Sequence, residues 1–266
     1  MFYLHEGTGR LVVSVPHAGT YIPPEIAAEM TPIGRAAIDT DWHVDSLYGF
    51  LKERDATFIV ATHSRNVVDL NRPPDGGKLY PGQAETGICP TETFDGDPLY
   101  IGNPPGPAAR VRRVQTYWQP YHAALTAALA RTRAVHGHAH LLDAHSIRTY
   151  VPRLFEGALP DLNFGTNDGA ACTPSLAARV VQTAAGRGFS HVLNGRFKGG
   201  YITRHYGRPA DGVNAMQLEL AQSTYMDDSA AASNAPQFDA PRAAPLIEVL
   251  HAVVAELSRP QRILGA

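Results

Sequence analysis

Apolar residues in this chain fall in short β-branched runs, and these alternate with stretches whose apolar positions recur every three or four residues. "RLVVSVPH" predicts a fully buried strand ended by Pro16, with His17 just beyond it. "ATFIVATHS", "HAHLLDAH", "HVLNGRF" and "AMQLELAQ" predict four more strands. After the first strand, "TDWHVDSLYGFLKERD" predicts a helix with Trp42, Leu47, Phe50 and Leu51 on one face and Asp41 in its first turn. "RNVVDLNRP" reads as a short extended segment stopped by two prolines. The longest helix is expected in "RVRRVQTYWQPYHAALTAALARTRAVHG", where Val111, Val114, Trp118, Tyr121, Leu125 and Leu129 form one stripe. Pro120 lies inside that stripe and should kink or split it. "TPSLAARVVQTAAGRG" offers Thr173 as cap, Pro174 at the first helical position and Gly186 as stop. "DDSAAASNAPQFDAPRAAP" reads as an exposed low-complexity loop, and "PLIEVLHAVVAELSR" as a closing amphipathic helix.

Strands alternating with helices predict an α/β protein with a mixed, mainly parallel sheet covered on both faces, in a single domain over residues 1–266. In such sheets sites form beyond the carboxyl ends of the strands. Residues 73–107 hold eight prolines and seven glycines, too many for regular structure. Long loops of this kind either cover a site or are disordered, and the aromatics in "KLYPG" and "FDGDPLYIG" favour covering.

Composition narrows the function. Net charge is −2, from 23 basic and 25 acidic residues, which favours neither nucleic acid nor an anionic membrane surface as partner. No apolar run approaches the ~20 residues of a membrane span, and "MFYLHEGTGRLVVSVPHAG" has no signal-peptide pattern. Cys89 and Cys172 are too few for a disulfide framework. A cytoplasmic, soluble protein is expected.

The strand ends carry the candidate chemistry: "VPHAG", "DLNRP", "DAHS" and "LELAQ". A catalytic zinc site needs about three protein ligands and an open position. His17 and His145, each after or late in an apolar strand, are candidate ligands, with Asp41 as carboxylate and Asp45, one helical turn on, as an alternative or a supporting group. Against this stands the commoner fate of such a histidine, a hydrogen-bonded place in the core. Asp41 would equally suit a helix N-terminus. Asn71 and Arg72 could grip a carboxylate or form a structural ion pair; Arg65, Arg148, Arg153 and Arg204 are further candidates. In "MQLELAQ", alternation sets Gln217 and Glu219 on one face and Leu218 and Leu220 on the other. A glutamate there is either a general base or half of a buried ion pair.

"SVPHAGTYIPPEI", "DTDWHVDSLY", "VVDLNRPPDG", "TETFDGDPLY", "LLDAHSIRTYVPRLFEGALPDLNFGT", "LNGRFKGGYITRHYG" and "MQLELAQSTYM" together resemble the N-formylglutamate amidohydrolase family, from about Val12 to Met226. The resemblance implies a three-layer α/β/α fold similar to zinc carboxypeptidases and aspartoacylase-type enzymes. It implies one divalent metal, zinc, with His17 and His145 matching the ligand histidines and Asp143 supporting His145. The wider group's HxxE glutamate is replaced here by Thr20, and Asp41 is taken in its place. Asn71 and Arg72 match a carboxylate-binding pair, Glu219 a general base, and Arg204 is a candidate for a second carboxylate. The implied reaction is hydrolysis of N-formyl-L-glutamate, a small dicarboxylate, to formate and L-glutamate in histidine degradation. The rivals are another N-acyl amino acid amidohydrolase of the same scaffold and a non-catalytic carboxylate-binding homologue.

Overall fold

The computed structural model describes residues 1–79, 82, 84–228 and 236–260. Its described residues form a seven-stranded sheet in the order β1-β3-β2-β4-β7-β5-β6. The strands are β1 Phe2–His5, β2 Leu11–Val15, β3 Thr57–Ala61, β4 Ala139–Ile147, β5 Leu162–Gly165, β6 His191–Leu193 and β7 Val213–Ala221. The central strands β3, β2, β4 and β7 run parallel, as do β5 and β6. β1 joins β3, and β5 joins β7, in antiparallel fashion. Central strands buried on both faces read as continuous apolar runs, which is why β2, β3 and β4 are legible in the sequence. β1 and β5 were not expected: each has four residues and no β-branched side chain among them.

Short helices α1 Pro24–Ala27, α2 Pro32–Ala36 and α3 Val44–Leu47 lie between β2 and β3. α4 Pro107–Arg113 and α5 Gln119–His136 precede β4, and α6 Pro174–Ala184 lies between β5 and β6. α7 Tyr201–Tyr206 precedes β7, and α8 Ala240–Leu257 follows it. On one face of the sheet, Tyr121, Leu125 and Leu129 of α5 and Ile202 of α7 pack on Val12, Leu141 and Ala215. On the other, Leu176 and Val180 of α6 and Leu246 and Leu250 of α8 pack on Val13, Leu142 and Leu218. The result is the expected three-layer α/β/α architecture.

Four local expectations need correction. The predicted helix around residues 41–55 is one α turn, α3, followed by a 3₁₀ turn, Gly49–Glu53. His43 has φ 60°, a left-handed conformation that no helix interior allows, so Asp41 precedes the helix instead of sitting in its first turn. "RNVVDLNRP" is not extended but coiled, because Asp69 Oδ1 takes the Asn71 N–H at 2.8 Å and Ser64 Oγ takes the Asn66 N–H, replacing any ladder. The long helix does not end at Pro120, but its α winding is interrupted just before it: a π turn, Val114–Trp118, joins α4 to α5, and the Gln119 N–H bonds Val114 O. Pro120 then falls in the first turn of α5, where its missing N–H costs little. Val111 is 55% exposed and lies off the stripe. Finally, α8 starts at Ala240, capped by Asp239, inside the stretch read as a loop; residues 229–235 of that stretch lie outside the described residues.

Candidate metal centre and active-site hollow

β2 ends at Val15, Pro16 prevents further pairing, and the chain turns so that His17 O accepts the Asp41 N–H at 3.1 Å. That bond brings Asp41 against β4, the strand next to β2, where His145 projects from the same face as Asp143. One ligand atom each from His17, Asp41 and His145 lies within 4.8 Å of the others, and all three residues are buried. Asp41 Oδ2 is 2.8 Å from His145 Nδ1 and 3.7 Å from His17 Nδ1.

A second carboxylate stands near the outer nitrogen of each ring. His17 Nε2 lies 2.7 Å from Asp69 Oδ1, whereas His145 Nε2 pairs with Asn71 Nδ2 at 2.8 Å and has Asp143 Oδ1 at 3.2 Å. Carboxylates in that position fix the tautomer and orientation of metal-ligating histidines. His17 Nδ1 is buried and has no hydrogen-bond partner among the described residues. Leaving such an atom unpaired is costly, and two imidazoles with one carboxylate are the donor set of an open zinc site. These residues fit a divalent cation.

Burial disfavours charge throughout the cluster, yet neighbours overrule it. The imidazoles of His17 and His145 hold the Asp41 carboxyl below the usual carboxylate range. His17 and Arg65 hold Asp69 well below it, and Asp143 and Asp41 raise His145 well above the usual imidazole value. Glu219 goes the other way: burial pushes its carboxyl up to about 8, against the pull of His145. Its Oε2 accepts from Gln217 Nε2 at 3.0 Å, and Gln217 Oε1 in turn accepts the Gly200 N–H that opens α7.

Together His17, His145 and Glu219 border a hollow that Thr86, Phe94, Leu154 and Arg196 also line. Residues of the 73–107 stretch therefore share this hollow with the cluster. Arg72 lines the hollow and is held by Thr86, whose carbonyl accepts from Nε at 2.7 Å. Asn71 also lines it, but its amide is engaged at both ends, donating to Asp143 Oδ2 at 3.0 Å and accepting from the Ile202 N–H at 2.7 Å. Arg65 was one candidate among several in the sequence; it is buried, bonds Asp69 Oδ2 at 2.8 Å, and lies 3.5 Å from Asp41 Oδ1. Its Nε has no hydrogen-bond partner among the described residues.

Four candidates fall elsewhere. Arg148 pairs with Asp95 at 2.7 Å and Arg153 pairs with Glu92, and neither lines this hollow. Arg204, on α7, donates to Gly199 O at 2.8 Å and does not line this hollow; Arg196, from the same sequence motif, does. Asp45 is exposed and borders a separate surface hollow with Thr20 and Lys52. Asp69 was missed as a member of the site, although it is the first letter of the "DLNR" stretch that drew attention to Asn71 and Arg72.

Fold and site together define the class: a three-layer α/β/α protein with a candidate metal cluster bordering a hollow at the carboxyl ends of parallel strands. A family model described as N-formylglutamate amidohydrolase matches residues 9–226. The chain belongs to the N-formylglutamate amidohydrolase family. It is 52% identical over 227 residues to an N-formylglutamate deformylase of Pseudomonas aeruginosa, covering 85% of each chain. A protein of the same name from Pseudomonas putida is 48% identical over 227 residues, again 85% of each. The crystal structure of N-formylglutamate amidohydrolase from Ralstonia eutropha superposes with a TM-score of 0.80 at 26% identity, over 96% of both chains. A gene product of Agrobacterium tumefaciens shares the fold, with a TM-score of 0.69 at 18% identity over 96% of this chain and 92% of that one.

Proposed function

We propose that the protein hydrolyses the formyl amide of N-formyl-L-glutamate to formate and L-glutamate, using one divalent cation, zinc, held by His17, Asp41 and His145. The observation that carries this reading is the buried, unpartnered His17 Nδ1 beside Asp41 and His145, with Glu219 on the same hollow, in a chain 52% identical to a relative named as a deformylase. A cation held there supplies Lewis-acid polarisation of the formyl oxygen and makes water acidic near pH ~7.

The chain's own residues do the rest. Glu219 takes a proton from the attacking water and returns it to the departing amine. That role needs the ionised carboxylate; Glu219, whose carboxyl is raised to about 8 chiefly by burial, would give up its proton more readily beside a bound divalent cation. Arg65, charged and facing the hollow, offers its Nε–H to the negative charge that develops on the formyl oxygen. Arg72 binds one substrate carboxylate with the part of its guanidinium that Thr86 leaves over, while Asn71 serves as a brace between β4 and α7. Arg196 takes the second carboxylate in place of Arg204, because it lines the hollow. On this reading the protein works in the cytoplasm as the last step of histidine degradation.

Formate release from N-formylglutamate and N-formylaspartate, and acetate release from N-acetylglutamate, test this reading before and after chelation. Release from the first substrate, lost on chelation and regained with zinc, is expected. Activity that survives full chelation would remove the metal, and faster turnover of the acetyl substrate would move the protein to another acyl specificity.

A further inference from the structure

Directly after β7 the chain makes a 3₁₀ turn, Gln222–Thr224, followed by Tyr225. Both Gln222 and Tyr225 are buried and neither lines the main hollow, yet their polar atoms reach back some 180 positions to the segment that carries Asp41. Gln222 Nε2 donates to Thr40 O at 3.0 Å. Tyr225 Oη lies 2.8 Å from Trp42 O. The two contacts therefore fix the carbonyls on either side of Asp41.

Ser146 ties the pair together. Its Oγ accepts from Gln222 Nε2 at 3.3 Å and lies 2.7 Å from Tyr225 Oη. A phenol has one hydrogen and a carbonyl can only accept, so the phenol hydrogen goes to Trp42 O and the Ser146 hydroxyl donates to Tyr225. The direction of every bond is then determined: Gln222 to Ser146, Ser146 to Tyr225, Tyr225 to Trp42. The backbone N–H of the same Ser146 donates to Asp41 Oδ2 at 3.2 Å, the oxygen that faces both histidines. Backbone and carboxylate of Asp41 are thus held by one buried network anchored on β4 and the end of β7.

An aspartate outside any helix or strand needs such support. Asp41 precedes α3, and the helical hydrogen bonds nearest to it, from the Ser46 and Leu47 N–H groups to His43 O, do not involve the carboxylate. We infer that Gln222 and Tyr225 are positioning residues for Asp41, setting the affinity of the His17–Asp41–His145 cluster for its cation without touching substrate. This rests on the proposed metal reading.

Zinc affinity, measured by chelator competition on the full-length chain, tests it with wild type, Tyr225→Phe and Gln222→Met. Loss of a group that orients a metal ligand weakens metal binding by roughly 10- to 100-fold, and each variant should fall in that range. At saturating zinc the KM for N-formylglutamate should match wild type, since neither residue lines the hollow. A shift of no more than about twofold in both variants, with melting temperature alone lowered, would overturn the positioning role and leave ordinary core packing. Should Tyr225→Phe fail to fold, Gln222→Met reads the other carbonyl with the Tyr225 bonds intact. A wild type that binds no zinc would defeat the metal reading itself, whereas zinc-binding wild type with unshifted variants defeats only this inference.

Discussion

His145 and Glu219 are direct partners across the parallel ladder of β4 and β7, so an imidazole and a carboxyl project side by side from one face of the sheet. Two positions lower in each strand, Asp143 and Gln217 repeat the arrangement and brace the pair from beneath. Their surroundings differ, and so do their roles. The histidine faces Asp41, while the glutamate faces the open hollow.

Asp41→Asn should abolish most zinc binding, because the neutral amide neither attracts the cation nor balances the two imidazoles. Asp45→Asn should leave zinc content unchanged, since Asp45 is exposed on a different surface. Metal analysis of both purified variants distinguishes the two carboxylates; equal loss in both would return the ligand assignment to an open choice.

Glu219→Gln should lower kcat by ~10²–10⁴-fold with zinc content near normal, the usual contribution of a general base. Stability adds a second readout. In the metal-free protein Glu219 stays protonated up to about pH 8, whereas the unfolded chain releases that proton near pH 4.5. The folded state therefore holds the extra proton between those values, and the contribution is lost as pH rises through them. Metal-free wild type should lose a few kcal/mol of stability across that window from this group. The glutamine variant should show a flatter profile in denaturant titrations at pH 5 and 8. A variant that melts early but turns over normally would end the general-base assignment.

Arg72→Lys keeps the charge but loses both the planar fork and the Nε contact to Thr86 O. KM for N-formylglutamate should rise about tenfold or more, with kcat less affected. Arg196→Lys should behave alike, while Arg204→Lys, placed away from the hollow, should not. Steady-state kinetics on the three variants settle which arginines meet the substrate.

His122 should stay neutral well into acid. It stacks on Trp118, and its nitrogens lie 2.8 Å from Leu70 O and 2.9 Å from Tyr206 Oη; burial lowers its pKa to about 3. The unfolded chain binds this proton near pH 6.5, so stability falls as pH drops from there toward 3. An NMR titration should show the His122 ring unprotonated at pH 5; a midpoint near 6.5 would contradict the burial argument.

Much of this was legible in the sequence for a physical reason. His17 and His145 stand out because apolar strands deliver them, and Glu219 because period-two alternation exposes a carboxyl among leucines. Asp69 was missed and Arg65 was only one arginine candidate among several, since both lie in a coil whose hydrogen bonds come from side chains, and no periodicity marks such a segment. Arg196 and Arg204 share one glycine-rich motif, and only the path of the chain into α7 decides which of them meets the hollow. Gln222 and Tyr225 were beyond reach for a different reason: they act on backbone carbonyls, which leave no trace in residue identity.

The π turn between α4 and α5 makes spacing itself a functional constraint. Downstream of it, Trp118 donates to Arg72 O at 3.1 Å and Tyr121 packs on the sheet. Upstream, Arg113 donates to Val67 O at 3.3 Å and to the Tyr100 hydroxyl at 2.7 Å, joining the coil that leads to Asp69 with the loop that helps line the hollow. The wide turn takes up one residue more than an ordinary α turn, so both ends keep phase with their targets. Removing one residue from 114–117 would restore ordinary winding and keep that phase, whereas losing one from the regular winding of α4 or α5 would rotate the two ends by about 100° relative to each other. Homologous sequences should accordingly tolerate a one-residue gap at the wide turn better than one elsewhere in these two helices.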